Sequence, residues 1–140
     1  MNDESLMRSL LKVAEECTGH EFEFYNDDGI GIDTMFDYVQ GKVYIDVTFS
    51  KESIAICCDY VNGVKADSLA DCQDRIMKML EEPVDCSFVS NEGTLVFYGP
   101  TVFFGRELFE KDPENLAYIL PSLAKGIGAI ARAADRIFLG

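Results

Sequence analysis

Val43-Tyr44-Ile45-Asp46-Val47-Thr48-Phe49-Ser50 sets Val43, Ile45, Val47 and Phe49 against Tyr44, Asp46, Thr48 and Ser50, one apolar side chain in every two. A strand shows that period when one face enters a core and the other meets water. The pattern extends in both directions. Past Lys51-Glu52-Ser53, the run Ile54 to Val61 reads as a second strand that stops at Asn62-Gly63. Upstream, Glu21-Phe22-Glu23-Phe24-Tyr25 alternates too, and Asn26-Asp27-Asp28-Gly29 has the side chains of a tight turn. Ile30 to Val39 is expected to be extended but irregular. The middle of the chain is therefore a meander of three or four strands.

Helical spacing brackets the meander. Residues 3 to 18 place Leu6, Leu10, Val13, Ala14 and Cys17 on one face, widened by Met7 and Leu11, with Gly19 as the stop. Asp67 is the expected N-cap of a second helix carrying Leu69, Cys72, Ile76, Met79 and Leu80, which ends ahead of Pro83. Cys86 to Ser90 and Thr94 to Tyr98 flank Asn91-Glu92-Gly93 as a hairpin, with an extension through Thr101 to Phe104 beyond the Gly99-Pro100 break. Asp112-Pro113-Glu114 opens a last helix that runs to about Phe138, with Pro in the first turn and acid at the positive end of the helix dipole. The expected class is α+β: helix, meander, helix, hairpin, helix. A twisted, mainly antiparallel sheet of five or six strands, packed by three helices, forms one domain over residues 1–140.

Charge narrows the partners. The 140 residues hold 25 Asp and Glu against 12 Lys and Arg, a net charge of −13, yet 48% of them are hydrophobic, enough for a core. Such a surface repels phosphate backbones and anionic lipid, so neither nucleic acid nor membrane is an expected partner. The acidic start Met1-Asn2-Asp3-Glu4-Ser5 and the lack of a long uncharged apolar stretch give a cytoplasmic expectation. Cys17, Cys57, Cys58, Cys72 and Cys86 are odd in number and contain no C-x-x-C, which fits buried thiols better than a disulfide framework or a zinc site. Residues 112–140 carry three acids and three bases, so the whole net charge lies in the first 111 residues.

In the last helix Leu116, Leu120, Leu123, Ile127, Ile130, Ala134 and Ile137 recur at alternating spacings of four and three. Burying the six large ones stabilises by on the order of 10 kcal/mol. Pro121, Gly126 and Gly128 weaken the helix locally, and a bend is expected there. Two readings of this stripe stand: packing on the chain's own sheet, or a dimer seam.

Motifs that announce chemistry are few. Gly126-Ile127-Gly128-Ala129-Ile130-Ala131 has dinucleotide-fingerprint spacing but lacks the strand before it and the strand and acid after it. If Gly29 is taken as the glycine of a calcium loop, Phe24 and Met35 fall at its first and last ligand positions, so Asp27, Asp28 and Asp33 are left as a solvated turn. His20 stands alone past a helix end, where the dipole favours an imidazolium. No catalytic residue, metal ligand or cofactor is expected. The uncharged run Leu95 to Phe104 is different, because a sheet covered on one face leaves half of such a run outward. Phe97, Tyr98, Val102, Phe103 and Phe104 are its candidate partner-binding residues.

The order of the Leu6-to-Cys17 helix, meander, Leu69-to-Leu80 helix, hairpin and Leu116-to-Ile137 helix resembles the fold of class I type III secretion chaperones and of the YbjN-like bacterial sensory-transduction regulators. That resemblance implies three helices on an antiparallel sheet, dimerisation, capture of unfolded segments on apolar patches, and no catalytic residues or cofactor. The leading expectation is a non-enzymatic protein-binding, chaperone-like or regulatory module that forms a homodimer. An acidic inhibitor or immunity-type protein blocking a basic enzyme is the first alternative, and a small-molecule enzyme using a carboxylate pair the second.

Overall fold

Helix α1 (Asp3–Thr18) begins where Asn2 Oδ1 accepts the Ser5 N–H at 2.7 Å, with Asp3 and Glu4 in the first turn, and ends at Gly19, whose N–H bonds Glu15 O at 2.9 Å. Its buried face is Leu6, Met7, Leu10, Val13 and Ala14. The computed structural model describes residues 2–38, 41–62, 69–80, 87–91, 94–99 and 101–138. Asp67, Glu92 and Gly93, expected at a helix start and a hairpin turn, lie outside them.

The strands are β1 (Glu23–Asn26), β2 (Ile30–Tyr38), β3 (Gly41–Ser50), β4 (Ser53–Asn62), β5 (Ser87–Asn91), β6 (Thr94–Tyr98) and β7 (Val102–Gly105). Helix α2 (Leu69–Met79) separates the meander from the hairpin, and α3 (Arg106–Lys111), a 3-10 turn (Pro113–Asn115) and α4 (Leu116–Phe138) end the chain. The fold is α+β. Strand order is β1-β2-β3-β4-β6-β5, with β7 also on β4, and the pairs β1·β2, β4·β6, β4·β7 and β5·β6 are antiparallel.

Two expectations are revised. The segment from Ile30 is not irregular: β2 is a nine-residue strand, zipped to β1 from Asn26↔Ile30 to Glu23↔Asp33. Its Gly31 hid the pattern, and the pairing needs that glycine, because a Cβ there would stand 2.7 Å from Val47 O and collide with the Tyr25 hydroxyl. The second revision is α3, six residues too short to show a helical period, which ends at Asp112. Asp112 does cap the next turn: its carboxylate accepts the Glu114 N–H at 3.0 Å, and Pro113 opens the 3-10 segment.

The chain clusters into two compact units, each made of three segments. The first comprises Met1–Thr34, Ile45–Cys57 and Thr101–Leu123, and its buried residues include Leu6, Leu10, Ile32, Ile45, Ile54, Ile56, Phe109, Leu116 and Leu120. Within it, Arg106 ties Asp3 of α1 to Glu110 of α3 (2.6 Å to Glu110) and lies 5.1 Å from the centre of the Phe49 ring. The second comprises Met35–Tyr44, Cys58–Pro100 and Ala124–Gly140, with Val43, Tyr60, Ile76, Phe97, Ile127 and Ile130 among its buried residues. There Tyr60 and Phe97, cross-strand partners, stack with centroids 5.7 Å apart.

Candidate functional site

The stripe of α4 is occupied within the single chain. Leu116 and Leu120 are buried in the first unit, Ile127, Ile130 and Ala134 in the second, and Leu123 is half-buried. Packing on its own chain accounts for these residues, and no open seam of large side chains is left among them. The Ile137 side chain lies outside the described residues.

The uncharged run divides differently, and backbone register explains how. On β4, Asp59 pairs Tyr98 and Ile56 pairs Val102. Two residues of β4 lie between those pairs, against three of the facing chain. One extra residue is a bulge, and it reverses which side chains face the core. Gly99 permits it, because its N–H bonds Cys58 O at 3.2 Å and Asp59 Oδ1 at 3.1 Å in a place where any Cβ would strike Cys58 O. Without the bulge Phe97 and Phe103 would share a face. With it Phe97 is fully buried against Tyr60, a correction to its place among the partner-binding candidates, whereas Phe103 is 62% exposed. Phe104 turns inward to meet Phe109 edge-on at 6.1 Å, and Val102 is half-buried. In the second unit Tyr98 is 46% exposed.

Around Phe103 the first unit presents one face of its sheet. Its cross-strand partner is Ala55, and β7 has no strand on its outer side among the described residues. Arg106 N–H donates to Glu52 O, which sets the phase of the ladder. Val102 and Phe104 bond β4, and Phe103 turns its own N–H and C=O outward. An exposed ring and an open main-chain edge thus coincide at one residue. Tyr118, 80% exposed at the start of α4, and Leu108, whose C=O accepts from Asn115 Nδ2 at 2.8 Å, are further exposed apolar residues of this unit that spacing did not single out.

The same face carries a polar group that sequence reading missed. Tyr25, opposite Gly31, reaches over it to donate its hydroxyl to Asp46 Oδ1 at 2.7 Å. Partial burial raises the Asp46 carboxyl above the usual carboxylate range; the Tyr25 bond opposes the shift and the nearby Asp33 charge adds to it. Burial, then the bond to Asp46, likewise raises the Tyr25 phenol. The clue was the polar phase of β3, Asp46 and Thr48, facing a glycine in β2.

Asp27 and Asp28 sit exposed in the β1–β2 turn and Asp33 lies on β2. Among the described residues no three His, Cys, Asp or Glu side chains are placed to hold a metal ion. His20 lies past the α1 cap, its N–H on Thr18 Oγ1 at 3.2 Å. Among the described residues no helix is long and apolar enough to cross a membrane.

Charge divides unevenly. The first unit holds 15 acids and 5 bases, a net −10, and the second 10 and 7, a net −3. No family model, curated protein or solved structure matches this chain, so the exposed edge at Phe103 and the acidic unit around it are the features from which its function has to be argued.

Proposed function

We propose that this chain is a non-enzymatic protein-binding module that holds an extended segment of another protein against β7, with Phe103 as the anchor. The observation that carries it is the coincidence at Phe103 of a ring mostly in water and an outward-facing N–H and C=O. Strand addition uses those two features, main-chain bonds for affinity and alternate side chains for selectivity. Aromatic residues are also the usual anchors of protein interfaces. For a homodimer, expected from the sequence, the helix stripe offers little large apolar surface, because Leu116, Leu120, Ile127 and Ile130 are buried within the chain itself.

The test compares the parent protein with Phe103→Asp by affinity capture from cells that make it and by light scattering. The expected result is a captured protein that the variant loses while its melting temperature stays within a few degrees of the parent's. An unchanged set of captured proteins and an unchanged mass would refute the proposal.

A further inference from the structure

We infer that the segment held on this face is rich in lysine or arginine; the inference rests on the protein-binding reading above and names the partner's chemistry. Its basis is the charge on the open face of the first unit. Glu23 and Asp33 are direct cross-strand partners on β1 and β2, and like charges so placed destabilise a sheet. Asp46 stands close enough to Asp33 for their charges to interact. At the far side, Glu107 brings its carboxylate within 3.1 Å of where a Gly105 Cβ would be, on the side of β7 that Phe103 occupies. In the strand segments of this unit, 23–26, 30–34, 45–50, 53–57 and 102–105, there is no Lys or Arg.

The acids are spread out. From the β7 edge, where the segment pairs its backbone, to β1 is four strand spacings, roughly 19 Å, so about six further residues of extended chain carry the same segment across the face. Acids spaced in this way suit positive charges carried at intervals along a chain. An apolar residue of that chain would sit against Phe103, with basic residues on the flanking acids. A second copy of this protein suits the face poorly, since it brings another unit of net charge −10.

The experiment uses the full chain and a short fluorescein-labelled peptide with lysine at alternate positions around a central leucine, together with a twin carrying serine for lysine. Fluorescence anisotropy is expected to show the lysine peptide bound at least about tenfold more tightly than the serine twin, and weakened about tenfold between ~50 and ~300 mM salt. Glu23→Gln with Asp33→Asn is expected to weaken it about fivefold or more, and Phe103→Ser by a similar factor. The same loss of two charges elsewhere, Glu16→Gln with Asp74→Asn, should change it less than about twofold. Equal weakening by the two double variants would mean general attraction to an acidic protein and overturn the inference, as would failure of the lysine peptide to bind or light scattering that showed the face closed by a second copy. If the serine twin bound as tightly, in a manner dependent on Phe103, the basic-partner inference would fall and the protein-binding reading would stand. If both bound regardless of Phe103, the protein-binding reading would fall too.

Discussion

A phenylalanine ring left in water forgoes roughly 1.5 to 3 kcal/mol that burial would supply, and Phe103 does so on a strand whose next residue, Phe104, packs inward. Phe97, six positions earlier, takes that benefit in full. The two should respond oppositely to truncation. Phe97→Ala is expected to lower unfolding free energy by about 3–5 kcal/mol and Phe103→Ala by less than ~0.5 kcal/mol, read by urea denaturation. Comparable losses would mean that the bulge does not place these rings as described. Asp46 gives a second residue-level prediction. Its folded pKa is raised, so its ionised form costs stability above that pKa, and the cost disappears as pH falls and the carboxyl takes its proton. Asn at this position keeps an oxygen to accept from Tyr25 and has no charge to desolvate. Asp46→Asn should therefore melt higher than the parent at pH 7, with the difference closing toward acid; an equal or lower melting point at pH 7 would contradict the burial argument.

At the scale of elements, the bulge at Gly99 decides which side chains of β7 face outward. Replacing Gly99 by Ala puts a methyl on Cys58 O, a backbone atom that cannot step aside cheaply, and should destabilise by about 1–3 kcal/mol in the same denaturation series. Sequence reading had limits here that are physical. Period-two alternation located β1 and β3, a run ending at Asn62-Gly63 located β4, helical spacing with Gly19 as the stop located α1, and the Asp112 cap located the start of the last helical stretch, because those signals are local. The bulge was not legible: one extra residue beside Gly99-Pro100 reverses a face, and only pairing with β4 reveals it. For the same reason five candidate residues in the run 97 to 104 resolve into one buried ring, two half-buried side chains and two exposed ones. Gly31 interrupted the apolar pattern of β2, and the glycine proved to be the seat of the Tyr25 ring. Of the α4 stripe, Leu116, Leu120, Ile127, Ile130 and Ala134 are buried and Leu123 is half-buried; what they pack against is a tertiary fact that spacing does not contain.

For the whole molecule, charge is the dominant property. A net −13, with −10 in one unit, means that folding brings like charges together. Salt should relieve this. The melting temperature at pH 7 is expected to rise by several degrees from ~10 to ~300 mM sodium chloride, since the Debye length falls from about 30 Å to under 10 Å. A fall would show that exposed ion pairs such as Arg8–Glu4 and Arg106–Glu110 outweigh repulsion, contrary to the modest worth of such pairs. The same repulsion favours the proposed partner that brings positive charge, and the edge at Phe103 is where it would bind. Titration of the 15N-labelled protein with the lysine peptide, followed by amide NMR shifts, tests that account most directly. The account predicts shifts concentrated at Val102–Gly105 and Ser53–Cys57, with smaller ones at Glu23 and Asp33; shifts spread over the outer face of α1, or none at Phe103, would contradict it.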